Sequence, residues 1–114
     1  MHFERFSGIL LEGHKEAAVE FPYDPTHRWG LPAVKLEPGR HGHRVQGKIN
    51  GIEFQSVIVP RAGKFWVLVS DEIRVKSSAV VGERVDLTIR PLVQLGLATA
   101  RPIRRGRTKP GAKP

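Results

Sequence analysis

The densest run of groups able to do chemistry is Arg40-His41-Gly42-His43-Arg44. Two imidazoles at i and i+2 would share a face on a strand, where they could begin a metal site. The neighbours argue otherwise. Two flanking guanidiniums repel a cation, Gly42 suggests a loop, and no third ligand stands at a recognisable spacing. The run is expected to be a solvated loop leading into the next strand. Arg40, His43 and Arg44 then offer contacts to an anion or phosphate.

Ser56 is the next candidate, as the serine of the central hairpin described below. A nucleophilic hydroxyl needs an oriented base, and no pattern places a His or Asp beside it. It is expected to be a hydrogen-bonded core hydroxyl. Asp71 and Glu72 follow Ser70 and fit the first turn of a helix, where the dipole favours negative charge, better than an acid pair. Phe65 and Trp66 could stack on bases, but consecutive strand residues face opposite ways. Phe65 is assigned to the core and Trp66 is left open. Glycine-rich phosphate loops, zinc-ligand spacings and paired-carboxylate signatures are absent. The sequence therefore assigns no catalytic residue, no cofactor and no metal.

Charge adds a second candidate. The chain of 114 residues carries 19 Lys and Arg against 11 Asp and Glu, a formal charge of +8. Six of the basic residues, Arg101, Arg104, Arg105, Arg107, Lys109 and Lys113, lie after Leu95, with no carboxylate among them, which leaves 13 basic and 11 acidic residues before it. Most of the excess is thus a tail, not a face. Pro102, Pro110 and Pro114 discourage a helix there, and the tail is expected to be disordered. Its partners would be nucleic acid or an acidic protein. There is no cysteine, so disulfides and thiolate sites are excluded. No apolar run approaches the roughly 18 residues of a membrane span. The N-terminus lacks the apolar block of a signal peptide, so a cytoplasmic protein is expected.

The elements that must position these groups centre on Arg44 to Arg61. Asn50-Gly51 suits a type I′ turn, whose central residues both need positive φ. The turn fixes the register: Ile49 faces Ile52, Lys48 faces Glu53, Gly47 faces Phe54, Gln46 faces Gln55 and Val45 faces Ser56. Val45, Gly47, Ile49, Ile52, Phe54 and Ile58 then share the buried face, and Gln46, Lys48, Glu53 and Gln55 the polar one. Phe3 to Gly13 and Ala17 to Phe21 are expected as a first hairpin, the second strand stopped by Pro22. From Tyr23 to Gly42 the pattern is poor. A short helical turn fits Pro25 to Trp29. Either Trp29, Leu31, Val34 and Leu36 pin the rest to the core, or a further strand lies at Ala33 to Leu36. Lys64 to Val69 is apolar on both faces and predicts an interior or closing strand. A helix over Asp71 to Ser77 and a last strand over Arg84 to Leu92 complete the pattern.

With these residues placed, the chain resembles a bacterial family of unknown function with a double-split β-barrel fold. Its members occur alone or fused to a bacteriocin-protection (OmpD-associated) type of domain. The resemblance runs from about Phe3 to Leu92. It rests on Phe6-Ser7-Gly8-Ile9-Leu10, on Val19-Glu20-Phe21-Pro22, on Val45 to Pro60 with its Asn-Gly turn, and on Gly82-Glu83-Arg84-Val85. The family more often has Gly-Asp at Gly82-Glu83. The resemblance implies a fold and no agreed activity, so it carries over no site residue.

The sequence therefore predicts an all-β small barrel of about six strands with one or two short helices, over residues 1–94, and a basic tail over 95–114. The functional expectation is a non-enzymatic binding or interaction module. One alternative is a weak, sequence-independent nucleic-acid binder acting through Arg40, His43, Arg44 and the tail. A second is an enzyme of unrecognised class.

Overall fold

The computed structural model describes residues 3–13, 15–37 and 39–92. Among them run β1 (Glu4–Ile9), β2 (Ala17–Phe21), α1 (Pro25–Trp29), β3 (Val34–Glu37), β4 (Arg40–Ile49), β5 (Ile52–Arg61), β6 (Lys64–Val69), α2 (Asp71–Ser77) and β7 (Arg84–Pro91). No helix among the described residues is long and apolar enough to cross a membrane.

The central hairpin has the predicted register in all five pairs from Ile49–Ile52 to Val45–Ser56. Asn50 and Gly51 take φ of 49° and 84°, as a type I′ turn requires. Val45, Ile49, Phe54 and Ile58 are buried as expected. Ile52 is not: it remains 38% exposed, because the hairpin tip extends past the core. Gly47 is needed for a different reason. A Cβ there would run into the Thr88 carbonyl and the Ile89 backbone of β7, so β4 and β7 can approach only at glycine.

The strands pair in the order β1–β7–β4–β5–β6–β2, each pair antiparallel. The ends of that path meet through Leu11 and Ala18, which exchange two backbone hydrogen bonds of 2.8 Å. The result is a nearly closed six-stranded barrel. β1 and β2 are therefore not the expected hairpin. Each spends its ladder on a distant strand, β7 or β6, and only the Leu11–Ala18 bridge joins them. β6 lies inside the path, between β5 and β2, as its two apolar faces require. β3 stands off the path as a further strand. It pairs residues 40–42 of β4, whereas β7 pairs residues 45–49, so β4 is shared between two partners along its length.

Inward alternation fills the barrel with Leu10, Val19, Phe21, Val45, Ile49, Val67, Val69, Val85, Leu87 and Ile89, all at most 1% exposed. Full burial of such a side chain contributes about 1.5–3 kcal/mol, so this interior needs no crosslink to hold it. Of the two alternatives for the poor region the strand holds, and the anchoring holds for Trp29 but not for Val34, which is 46% exposed. The missing strand exists, at Val34–Glu37, and Trp29 packs against the core with its ring 5.3 Å from Phe21. Asp24 caps α1 by accepting from the Thr26 amide, and Gly30 ends it at φ 67°. Glu4 of β1 then clamps the helix. It accepts from Arg28 Nε at 2.9 Å and from Trp29 Nε1 at 3.3 Å. The hydrogen bond to Glu4 raises the Arg28 guanidinium above its usual value. Ser70 caps α2 as predicted, its hydroxyl accepting from the Ile73 amide at 3.3 Å.

Candidate functional site

Strand alternation sends Arg40, Arg44, Gln46 and Lys48 of β4 away from the core. Register then extends these positions into rows across four strands. In the first row Arg5 faces Thr88, Thr88 faces Lys48, and Lys48 faces Glu53. In the second, Arg90 faces Gln46 and Gln46 faces Gln55. Phe3 closes that row, its ring 5.8 Å from the Arg90 guanidinium, a cation–π contact. The two rows border an open concavity of about 690 Å³ that holds three cations and one carboxylate, Glu53. One step towards the hairpin tip, Asp86 faces Ser7 and ends the positive stretch. One step the other way stands Arg44, whose carbonyl accepts from the Leu92 amide at 2.8 Å. The basic residues of the tail begin at Arg101, nine positions after Leu92 in sequence.

A second cleft, of about 800 Å³, lies between the β1–β2 connection and the β3–β4 turn. Its floor is apolar, with Leu11, Val59, Trp66 and Leu68. Its rim carries both signs, among them Glu16, Glu37, Arg40, His41 and Arg61. Arg40 is tied to Glu37 at 2.7 Å. A smaller hollow of about 320 Å³ shares Glu16, Glu37, Arg40 and Leu68 with this cleft and adds Arg44.

The predicted site residues separate in this frame. Arg40 and Arg44 are half-buried on β4, not on a loop as expected: pairing with β3 draws the His-Gly-His run into a ladder. His41 is exposed, but His43 is 7% exposed and faces inward with Ile58. Its Nε2 lies 2.7 Å from the Leu31 carbonyl, so this nitrogen carries the hydrogen and donates it. Trp29 packs on the same ring, at 6.3 Å. His43 thus pins the segment after α1 to the barrel and stands apart from Arg40 and Arg44. No group of three or more His, Asp or Glu able to hold a metal occurs among the described residues. The Ser56 hydroxyl donates to the Leu68 carbonyl across the β5–β6 seam. Trp66, left open from sequence, is half-buried on the outer wall and donates through Nε1 to the Arg61 carbonyl at 3.2 Å. Arg101, Arg104, Arg105, Arg107 and Lys109 lie outside the described residues.

Sequence reasoning missed Arg5, Arg90 and Phe3, and saw Lys48 only as the partner of Glu53. Each stands at an outward parity, and that was the available signal. What joins them is strand order, which no local pattern carries.

Fold and surface define a small, nearly closed antiparallel barrel with a cation-bearing outer face on β1, β7 and β4. Residues 6–89 match the family described as Domain of unknown function (DUF1905), and the chain belongs to that family. No curated protein matches the chain.

Proposed function

We propose that the protein is a non-enzymatic binding module for a polyanion, taken along the outer face of β1, β7, β4 and β5. The observation that carries this reading is the pair of rows that sets Arg5, Lys48 and Arg90 in one concavity with a single carboxylate. Arg44 extends the row of cations along β4 to the point where the chain continues into the tail. Under this proposal Arg101, Arg104, Arg105, Arg107 and Lys109 add positive charge further along the sequence, while Arg40, at the start of β4, is paired with Glu37. A surface of this kind attracts phosphate by Coulomb force and by counterion release. A bacterial source, supported by the family resemblance, and a cytoplasmic setting belong to the same proposal. An acidic protein is the other partner that the tail would suit.

Calorimetric titration of the full chain with short inorganic polyphosphate tests the reading. Binding at low salt that weakens steadily as salt rises supports it, and so does weaker binding by the Arg5→Gln, Lys48→Gln double variant. No binding at low salt, judged by heat at two temperatures and by competition against a labelled polyanion, sinks it.

The second cleft favours one further reading, a small apolar ligand over Trp66 and Leu68. Its volume falls within the 300–1,000 Å³ usual for ligand pockets.

A further inference from the structure

The cation-bearing face holds more than charge, and the rest of it points to a ligand class. We infer that its polyanion is single-stranded nucleic acid; the inference rests on the binding reading above. Three features carry it.

The first is Phe3, which is 53% exposed at the edge of the concavity. An aromatic ring left in water beside an arginine is a poor contact for a bare phosphate chain but a platform for a base. Base–aromatic stacking is tolerant of sequence, because every base has a π-face. Arg90 lies over the same ring. A base on Phe3 would therefore set its own backbone phosphate within reach of that guanidinium.

The second is the interleaving of neutral groups with the charges. Gln46, Gln55 and Thr88 share the face with Arg90, Lys48 and Arg5: Thr88 lies between Arg5 and Lys48, and Gln46 between Arg90 and Gln55. Amides and hydroxyls donate and accept, as base edges do, whereas a polyphosphate offers acceptors only. The Lys48 ammonium and the Arg5 guanidinium flank Thr88 in one row, and the two rows are about 6.6–6.8 Å apart, two residues along a strand. Stacking at one end and cations across the middle are the two parts of a single-strand groove.

The third is shape. The surface is an open concavity on the outer side of β1, β7, β4 and β5, with its charged and aromatic side chains on the sheet itself. Reading a duplex needs an element that enters a groove. A sheet with an exposed aromatic instead receives unstacked bases.

The test uses the full chain and three ligands at one fixed salt concentration: a labelled oligothymidine, a duplex of the same strand length, and inorganic polyphosphate. Fluorescence anisotropy or competition against the labelled strand gives each affinity. The single strand should bind most tightly. Phe3→Ala should weaken it about tenfold, the scale of one lost stack, and leave polyphosphate binding unchanged. Arg5→Gln with Lys48→Gln should weaken all three. Both sites are on the outer wall, and matched melting curves show that the variants fold. If all three ligands bind alike and Phe3→Ala alters none of them, the polyanion reading stands and the single-strand inference is overturned. A duplex that binds more tightly than the strand overturns it as well. If nothing binds, including polyphosphate, the polyanion reading fails first and takes this inference with it.

Discussion

The two halves of β5 contrast sharply on their outer side. Glu53 and Gln55 are exposed and polar, with β4 as their neighbour. Val57 and Val59 follow the same outward parity but are apolar, and Val59 is only 4% exposed. The change falls between Gln55 and Val57, just before Ile58, which pairs both His43 of β4 and Val67 of β6. Up to Gln55 the outer wall meets water. Beyond it the wall is roofed by the β1–β2 connection and the β3–β4 turn, and Val59 becomes a floor. Alternation places a side chain inside or outside the barrel. What covers the outside decides whether that side chain is polar.

Substitutions can break this contrast, and the largest effect lies inside it. Phe54, on the inner side of the polar half, is 5% exposed. Phe54→Ala should cost about 3–5 kcal/mol, as large aromatic truncations in a core do. Its neighbour Gln55→Ala should stay within about 0.5 kcal/mol. Denaturant melts of the two variants check this, and equal stabilities would put the register out by one residue. Next comes the outer side itself. Val59→Gln buries an amide beneath the roof and should cost about 1–3 kcal/mol in the same melts. A melt unchanged by Val59→Gln would mean that the second cleft is open to water down to its floor. Of similar size is Gly47→Ala, at about 1–3 kcal/mol, because the methyl must push β4 from β7. Separating those strands would also spread the rows of cations, so polyphosphate affinity should fall with stability. The smallest effect belongs to Glu53→Lys. It should leave the melt within about 0.5 kcal/mol and strengthen polyphosphate binding in the calorimeter. Unchanged affinity would exclude the β5 side of the concavity from the contact.

The central hairpin was legible because three independent signals coincide there: the Asn50-Gly51 turn, the alternation on both sides, and the Lys48–Glu53 pair. α2 was legible from Ser70, Asp71 and Glu72 in the same way. The barrel closure was not. Glu4 pairs Ile89 and Ala17 pairs Val69, and such long-range partners leave no mark in the local pattern. Gly42 misled, because a glycine in a strand reads locally as a loop. Here it lets Leu36 of β3 and the Ile58 backbone come close. The candidate site depends on the same long-range pairing. Arg5, Lys48 and Arg90 stand far apart in sequence, and only the order β1–β7–β4 sets them side by side. The charge count pointed to the tail, which is contiguous, and passed over the face, which is assembled.

Under the proposed function the barrel face and the tail bind one polyanion together. The direct measurement is a salt titration of oligothymidine binding by the full chain, by Arg5→Gln with Lys48→Gln, and by Arg104→Gln with Arg105→Gln and Arg107→Gln. Each phosphate contact on a single strand contributes about 0.7 to the slope of log affinity against log salt. The face variant should therefore lower the slope by about 1.4 and the tail variant by about 2. A face variant with the slope and affinity of the unaltered chain would contradict binding by the barrel face and leave the tail as the binding element.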